Sequence, residues 1–190
     1  MHRDDAIALA CGPLCLQIHS CLPEAMTRTK VVYERAEGAA LSTWLVKGAR
    51  FLTLIQSQAG TRVYDQEDDL LYYANPGTQL PPECPAGHAF LAQTVEDRQD
   101  GAVVPRLLIL DLLLPAEEDP RRRAEILRGL AHVFPPSCHV QWSGERAALE
   151  QFLSRGMPHE VECIVAMGGR GRLLRDPPAH GIRALQGLAE

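Results

Sequence analysis

The sequence predicts an α+β domain, mainly antiparallel sheets with packed helices. Three observations predict it. Short β-forming runs follow one another closely over residues 43–73, a nearly unbroken Leu/Ile run fills 105–114, and two capped amphipathic segments alternate with further strands after it. With 190 residues and 46% hydrophobic content, the chain can bury a core without staples.

In order along the chain, residues 1–22 are an apolar, cysteine-rich N-terminal segment broken by Gly12-Pro13, residues 23–176 are the expected domain, and residues 177–190 are a Pro/Gly-rich, weakly structured tail. Pro23-Glu24 opens a helix that runs to Ala36 and stops at Gly38. Thr43–Val46, Arg50–Ser57, Thr61–Asp65 and Leu70–Tyr73 are strands of a meander, punctuated by Lys47-Gly48, Ala59-Gly60 and an acidic turn at 66–69. Asn75–Pro85 is a proline-rich loop, and His88–Glu96 fits either a helix end or a strand.

Pro105–Leu114 reads as a central buried strand. Asp111 inside it is costly to bury unpaired, so it is either satisfied at the strand's edge or turned into a pocket. Asp119-Pro120 caps a helix from Arg121 to about His132 with Ile126, Leu127 and Leu130 on its apolar face. Cys138–Trp142 is a short strand, Ser143–Arg155 a helix stopped by Gly156, and Val161–Met167 a buried strand; a glycine-rich turn then leads to Leu173-Leu174.

Charge and cysteine usage narrow the function classes. There are 19 basic against 24 acidic residues, a net charge of −5, which suits neither a disordered chain nor a bulk nucleic-acid binder. No apolar run approaches the ~18 residues of a membrane span, and the acidic start is unlike a secretory signal. Only Lys30 and Lys47 are lysines, so lysine chemistry has two candidates. The six cysteines (Cys11, Cys15, Cys21, Cys84, Cys138, Cys163) are irregularly spaced and include no CxxC, which points to reduced thiols and an intracellular chain; the expected location is the nucleus and/or cytoplasm. Cys11, Cys15 and His19 could share a helix face, but a structural zinc needs four ligands and no fourth is evident. No metal or cofactor is therefore expected.

Three stretches, residues 46–54, 97–113 and 121–127 with 160–167, together resemble the covalent nucleotidyltransferase superfamily, which includes mRNA capping guanylyltransferases, DNA and RNA ligases, and the cap-binding domain of snurportin. Val46-Lys47-Gly48-Ala49-Arg50-Phe51-Leu52-Thr53-Leu54 lies where capping enzymes carry their lysine motif. Residues 97–113, ending Leu110-Asp111-Leu112-Leu113, are similar to the segment that ends in an aromatic-Asp strand. Arg121–Leu127, with Glu160-Val161-Glu162-Cys163-Ile164-Val165-Ala166-Met167 further on, resembles the ligase pattern ending Glu-Gly-Val-Val-Ala-Lys. The resemblance spans roughly residues 40–175 and implies a nucleotidyltransferase-like fold.

The departures imply a pseudo-enzyme. The family's lysine attacks the nucleotide α-phosphate three residues before the motif glycine; here Gly48 is kept, but that position is Leu45. The metal-linked Glu corresponds to Gln93, which brings no charge to a magnesium ion. Arg50, Asp111 and Glu162 match family residues, whereas Cys163 replaces a glycine, Met167 a lysine, and the final lysine pair is missing at Leu173–Arg175. The length also leaves no room for the oligonucleotide-binding domain that usually follows.

Two places resemble snurportin's cap-binding domain. Leu41-Ser42-Thr43-Trp44-Leu45 is similar to its Leu-Ser-Glu-Trp-Leu segment, and Trp142 closes a short strand where that domain places its cap-stacking tryptophan. A methylated guanine is a flat cation that an aromatic face attracts, and Arg50, Arg62 or Arg106 could hold its phosphates. The expected site is therefore Leu41, Ser42, Trp44, Lys47, Arg50, Arg106, Asp111, Trp142 and Glu162, binding capped RNA or a guanine nucleotide. Both tryptophans also fit ordinary core packing. Two other readings stand beside this one: a scaffold subunit with a dead pocket, using residues 1–22 for a protein partner, and a divergent guanylyltransferase using Lys47. The basic arm with which snurportin recruits its import receptor has no counterpart in residues 1–22, so that adaptor role is not implied.

Overall fold

In the computed structural model, residues 31–33, 41–65, 67–169 and 172–175 are described. The expected helix over residues 23–36, the Cys11/Cys15/His19 cluster, the 1–22 segment and the 177–190 tail lie outside them. The strands are β1 (Val31–Tyr33), β2 (Ser42–Val46), β3 (Phe51–Ser57), β4 (Gly60–Asp65), β5 (Leu70–Tyr73), β6 (Ala89–Gln99), β7 (Ala102–Leu114), β8 (Cys138–Val140), β9 (Val161–Met167) and β10 (Leu173–Arg175). The helices are α1 (Pro120–Leu130) and α2 (Arg146–Leu153).

Two sheets form, a four-stranded one in the order β1-β10-β9-β2 and a six-stranded one in the order β5-β4-β3-β6-β7-β8. All strand pairs are antiparallel except β1–β10 and β7–β8. The α+β class with mainly antiparallel sheet is thus what the chain adopts. His88–Glu96 resolves as strand, and β7 starts at Ala102, three residues ahead of the expected Pro105. The reason is the Asp100-Gly101 turn. Both residues have positive φ (48° and 81°), which suits the right-handed twist of a tight two-residue hairpin. Pro105 is tolerated inside β7 because β8 pairs only with Leu107–Ile109, so β7 is an edge at Pro105.

The 105–114 run is apolar on both faces because the six-stranded sheet is covered on both. On one face Leu110 and Leu113 pack with Leu41, Leu45, Val165 and Met167 between the two sheets. On the other, Leu107, Ile109 and Leu112 pack with Phe90, Leu127 and Phe134. A third cluster joins Trp44, Val46, Val95 and Leu108 to Leu149 and Phe152 of α2. Helix α1 starts as expected, with the Asp119 carboxylate accepting from the Arg121 N–H at 2.9 Å and Pro120 in the first turn. Helix α2 begins at Arg146 rather than Ser143, because Gly144 is held in an antiparallel bridge to Ser42.

Candidate functional site

A groove of about 1110 Å³ opens where four segments meet: the β2–β3 turn, the Asn75–Thr78 loop after β5, the β6–β7 hairpin, and the Met157–Glu160 loop before β9, with Ser137 also lining it. Its polar walls include Lys47, Arg50, Glu96, Arg98, Arg106 and Glu160. The segment resembling the lysine motif is thus one wall.

A buried polar chain fastens these walls. Trp44 Nε1–H donates to His159 Nε2 at 3.2 Å, and His159 Nδ1 lies 2.9 Å from Asp97 Oδ1. Because Nε2 accepts, the ring proton sits on Nδ1 and is donated to Asp97. The other Asp97 oxygen lies 3.0 Å from Arg106 Nε. Pro158 O accepts from the Arg98 N–H at 3.1 Å, and Glu160 O from the Lys47 N–H at 2.9 Å. The loop carrying His159 is therefore pinned to β2 and β6 together. No sequence signal links residues 115 positions apart, so His159 and the role of Asp97 were not legible beforehand.

Among the expected site residues, Lys47, Arg50 and Arg106 line the groove. Each cation has partners. Lys47 Nζ is 2.7 Å from Glu160, whose hydrogen bond and charge raise the ammonium above its ordinary pKa. Arg50 is surrounded by Asp65, Glu67 and Asp68, and holds the Asp68 carboxyl below its ordinary value. Arg106 is spent on Asp97, the Pro136 carbonyl, Gln99 and His139, so its guanidinium is already engaged. Arg62 stands elsewhere, over the Tyr73 ring with 3.0 Å to its centroid.

The remaining expected residues do not meet in this groove. Leu41 is in the inter-sheet core, and Ser42 is buried and exchanges backbone hydrogen bonds with Gly144. Trp44 is 3% exposed beneath the wall, against Phe152 and His159. Trp142 is 41% exposed but outside the groove lining, with its ring stacked on Phe152 at 5.3 Å. The two tryptophans therefore share a neighbour, Phe152, rather than framing one concave face.

Asp111 is satisfied rather than turned into a pocket. It is fully buried, accepts from the Leu112 N–H at 2.8 Å, and receives Arg123 Nε and Nη2 at 2.9 and 3.2 Å. Glu162 is exposed and pairs with Arg175 at 2.9 Å.

Gln93 is 1% exposed and acts as a clamp. Its carbonyl accepts from the Val46 N–H at 3.0 Å, and its amide donates to Val46 O and Ala49 O at 3.4 and 3.3 Å. These bonds fix the β2–β3 turn and use a donor that a carboxylate lacks. Among the described residues no group of three or more His, Cys, Asp or Glu is placed to hold a metal ion. No helix there is long and apolar enough to cross a membrane. No protein-family model matches the chain, and no curated protein matches it either.

Proposed function

We propose that the chain is a non-catalytic, nucleotidyltransferase-like binding module whose groove takes a guanine nucleotide or the methylated guanosine cap of an RNA. One observation carries the reading. The wall that resembles the lysine motif is intact as a groove wall, while both positions that would do chemistry are used for packing. Leu45 is 2% exposed in the core, and Gln93 is tied to backbone carbonyls.

The electrostatics favour binding over transfer. A nucleophilic lysine needs a lowered pKa, whereas Glu160 raises that of Lys47. The Lys47–Glu160 pair is exposed on both sides, and such solvent-screened pairs contribute little, so an incoming phosphate can take the ammonium over. The groove is near the upper size of small-molecule sites, enough for a nucleotide or a cap with its phosphates. The net charge of −5 fits a short ligand rather than a long RNA, which is held through many basic contacts.

Isothermal titration with a methylated cap analogue, GTP and ATP tests this. Saturable binding weakened by Lys47→Ala is the expected result. No heat with any nucleotide at millimolar concentration would leave the scaffold reading, to be pursued by partner capture. A stable mass gain of one nucleoside monophosphate after incubation with magnesium would instead establish the guanylyltransferase reading.

A further inference from the structure

Glu96 and Arg98 are the two charged groove residues whose side chains have neither a hydrogen bond nor an ion pair among the described residues. Every other arginine and lysine of the groove is already engaged. Their positions two apart on β6 put both on one face of the strand, roughly 7 Å from each other. Directly opposite on β7 stand Pro105 and Val103, paired with Glu96 and Arg98 respectively and projecting from the same face. Both are exposed, Val103 at 59%. The hairpin thus presents a small apolar shelf with a carboxylate and a guanidinium beside it that are unpaired among the described residues.

We infer that this face is the reading surface of the groove: the base lies on Val103 and Pro105, Glu96 accepts from the N1–H and N2–H of guanine, and Arg98 holds the phosphates. The inference rests on the nucleotide-binding reading and names its specificity. The chemistry selects guanine over adenine, because the Watson–Crick edge of guanine offers two adjacent donors that fit the two oxygens of one carboxylate. Adenine sets an acceptor at N1 against the carboxylate. Inosine keeps N1–H and loses the amine. A guanine dimethylated at N2 keeps no N–H on that nitrogen, so the site also favours an unmethylated or 7-methylated guanine over a trimethylated one.

The test is isothermal titration of the full chain and of Glu96→Gln with GTP, ATP, inosine triphosphate, and 7-methylated and trimethylated cap analogues. The native chain is expected to bind GTP roughly tenfold or more tighter than ATP, with inosine triphosphate and the trimethylated analogue between them. Glu96→Gln should collapse that ranking while ATP affinity stays, and Arg98→Ala should weaken all the triphosphates together. Both side chains are exposed or nearly so, and an unchanged thermal melt confirms the fold of each variant. Nucleotide binding with a guanine preference that survives Glu96→Gln would overturn this inference and leave the broader reading standing. The same holds for binding with no guanine preference in the native chain. Absence of any nucleotide binding by the native chain would overturn both.

Discussion

Arg123 uses every donor of its guanidinium inside the fold. Nε and Nη2 reach Asp111, Nη1 reaches the Glu117 and Glu118 carbonyls, and Nη2 also reaches the Gly168 carbonyl. Both partners of the pair are fully buried. Arg123→Met leaves the Asp111 carboxylate without its counter-ion and is expected to cost about 3–5 kcal/mol in urea unfolding, because breaking a buried pair is far more damaging than replacing both members. Gln93→Glu trades an amide donor for a carboxylate facing two carbonyls; about 1–3 kcal/mol of stability should be lost, read in the same experiment. Burial pushes the thiols of Cys84 and Cys138 up to about 11 and about 12. The unfolded chain therefore loses these protons first. Their contribution to stability is whole below the free-thiol range near about pH 8.5 and is lost as pH rises through the folded values. Neither cysteine should be alkylated at pH 8 in the native protein; peptide mapping after iodoacetamide treatment reads this, and labelling at the rate of a free thiol would contradict it. Asp111 was recognisable in the sequence as a charge out of place in an apolar strand. Its partner was not, because Arg123 stands among three consecutive arginines and only packing decides which of them turns inward.

Strands were more legible than helices, for reasons of period and capping. The runs at 43–46, 50–57, 61–65 and 161–167 are bounded by turn residues, and β2, β3, β4 and β9 start and end within a residue of them. Helix α1 was set by its Asp-Pro cap. Helix α2 came out shorter than its periodicity suggested because a tertiary contact intervenes at Gly144. A Cβ there would come within 2.5 Å of the Trp142 ring, besides the bridge to Ser42. Gly144→Ala must therefore displace the partly exposed Trp142 ring that stacks on Phe152, and a changed tryptophan emission is expected. An unaltered emission would contradict the packing described for that ring. The Asp100-Gly101 pair was a readable hairpin signal, and it would have placed Glu96 and Arg98 opposite Pro105 and Val103 from the sequence alone.

At the scale of the molecule, the groove exists because two sheets and the loops beside them converge. The sheets share the core of Leu45, Leu110 and Val165, and β2 is fastened at their junction through Trp44 and through Val46, which the Gln93 side chain of β6 holds. The Met157–Glu160 loop is held by His159, and none of these junctions has a local sequence signature. The segment that resembles the lysine motif does line the groove, whereas the two tryptophans expected to read a base do not: Trp44 is buried against Phe152 and His159, and Trp142 stacks on Phe152. Hydrogen exchange of the full chain with and without saturating GTP tests the proposed nucleotide site in this groove. Protection confined to residues 46–50, 75–78, 94–106 and 157–160 is the predicted result, and no change, or protection centred on Trp142 and α2 instead, would contradict it.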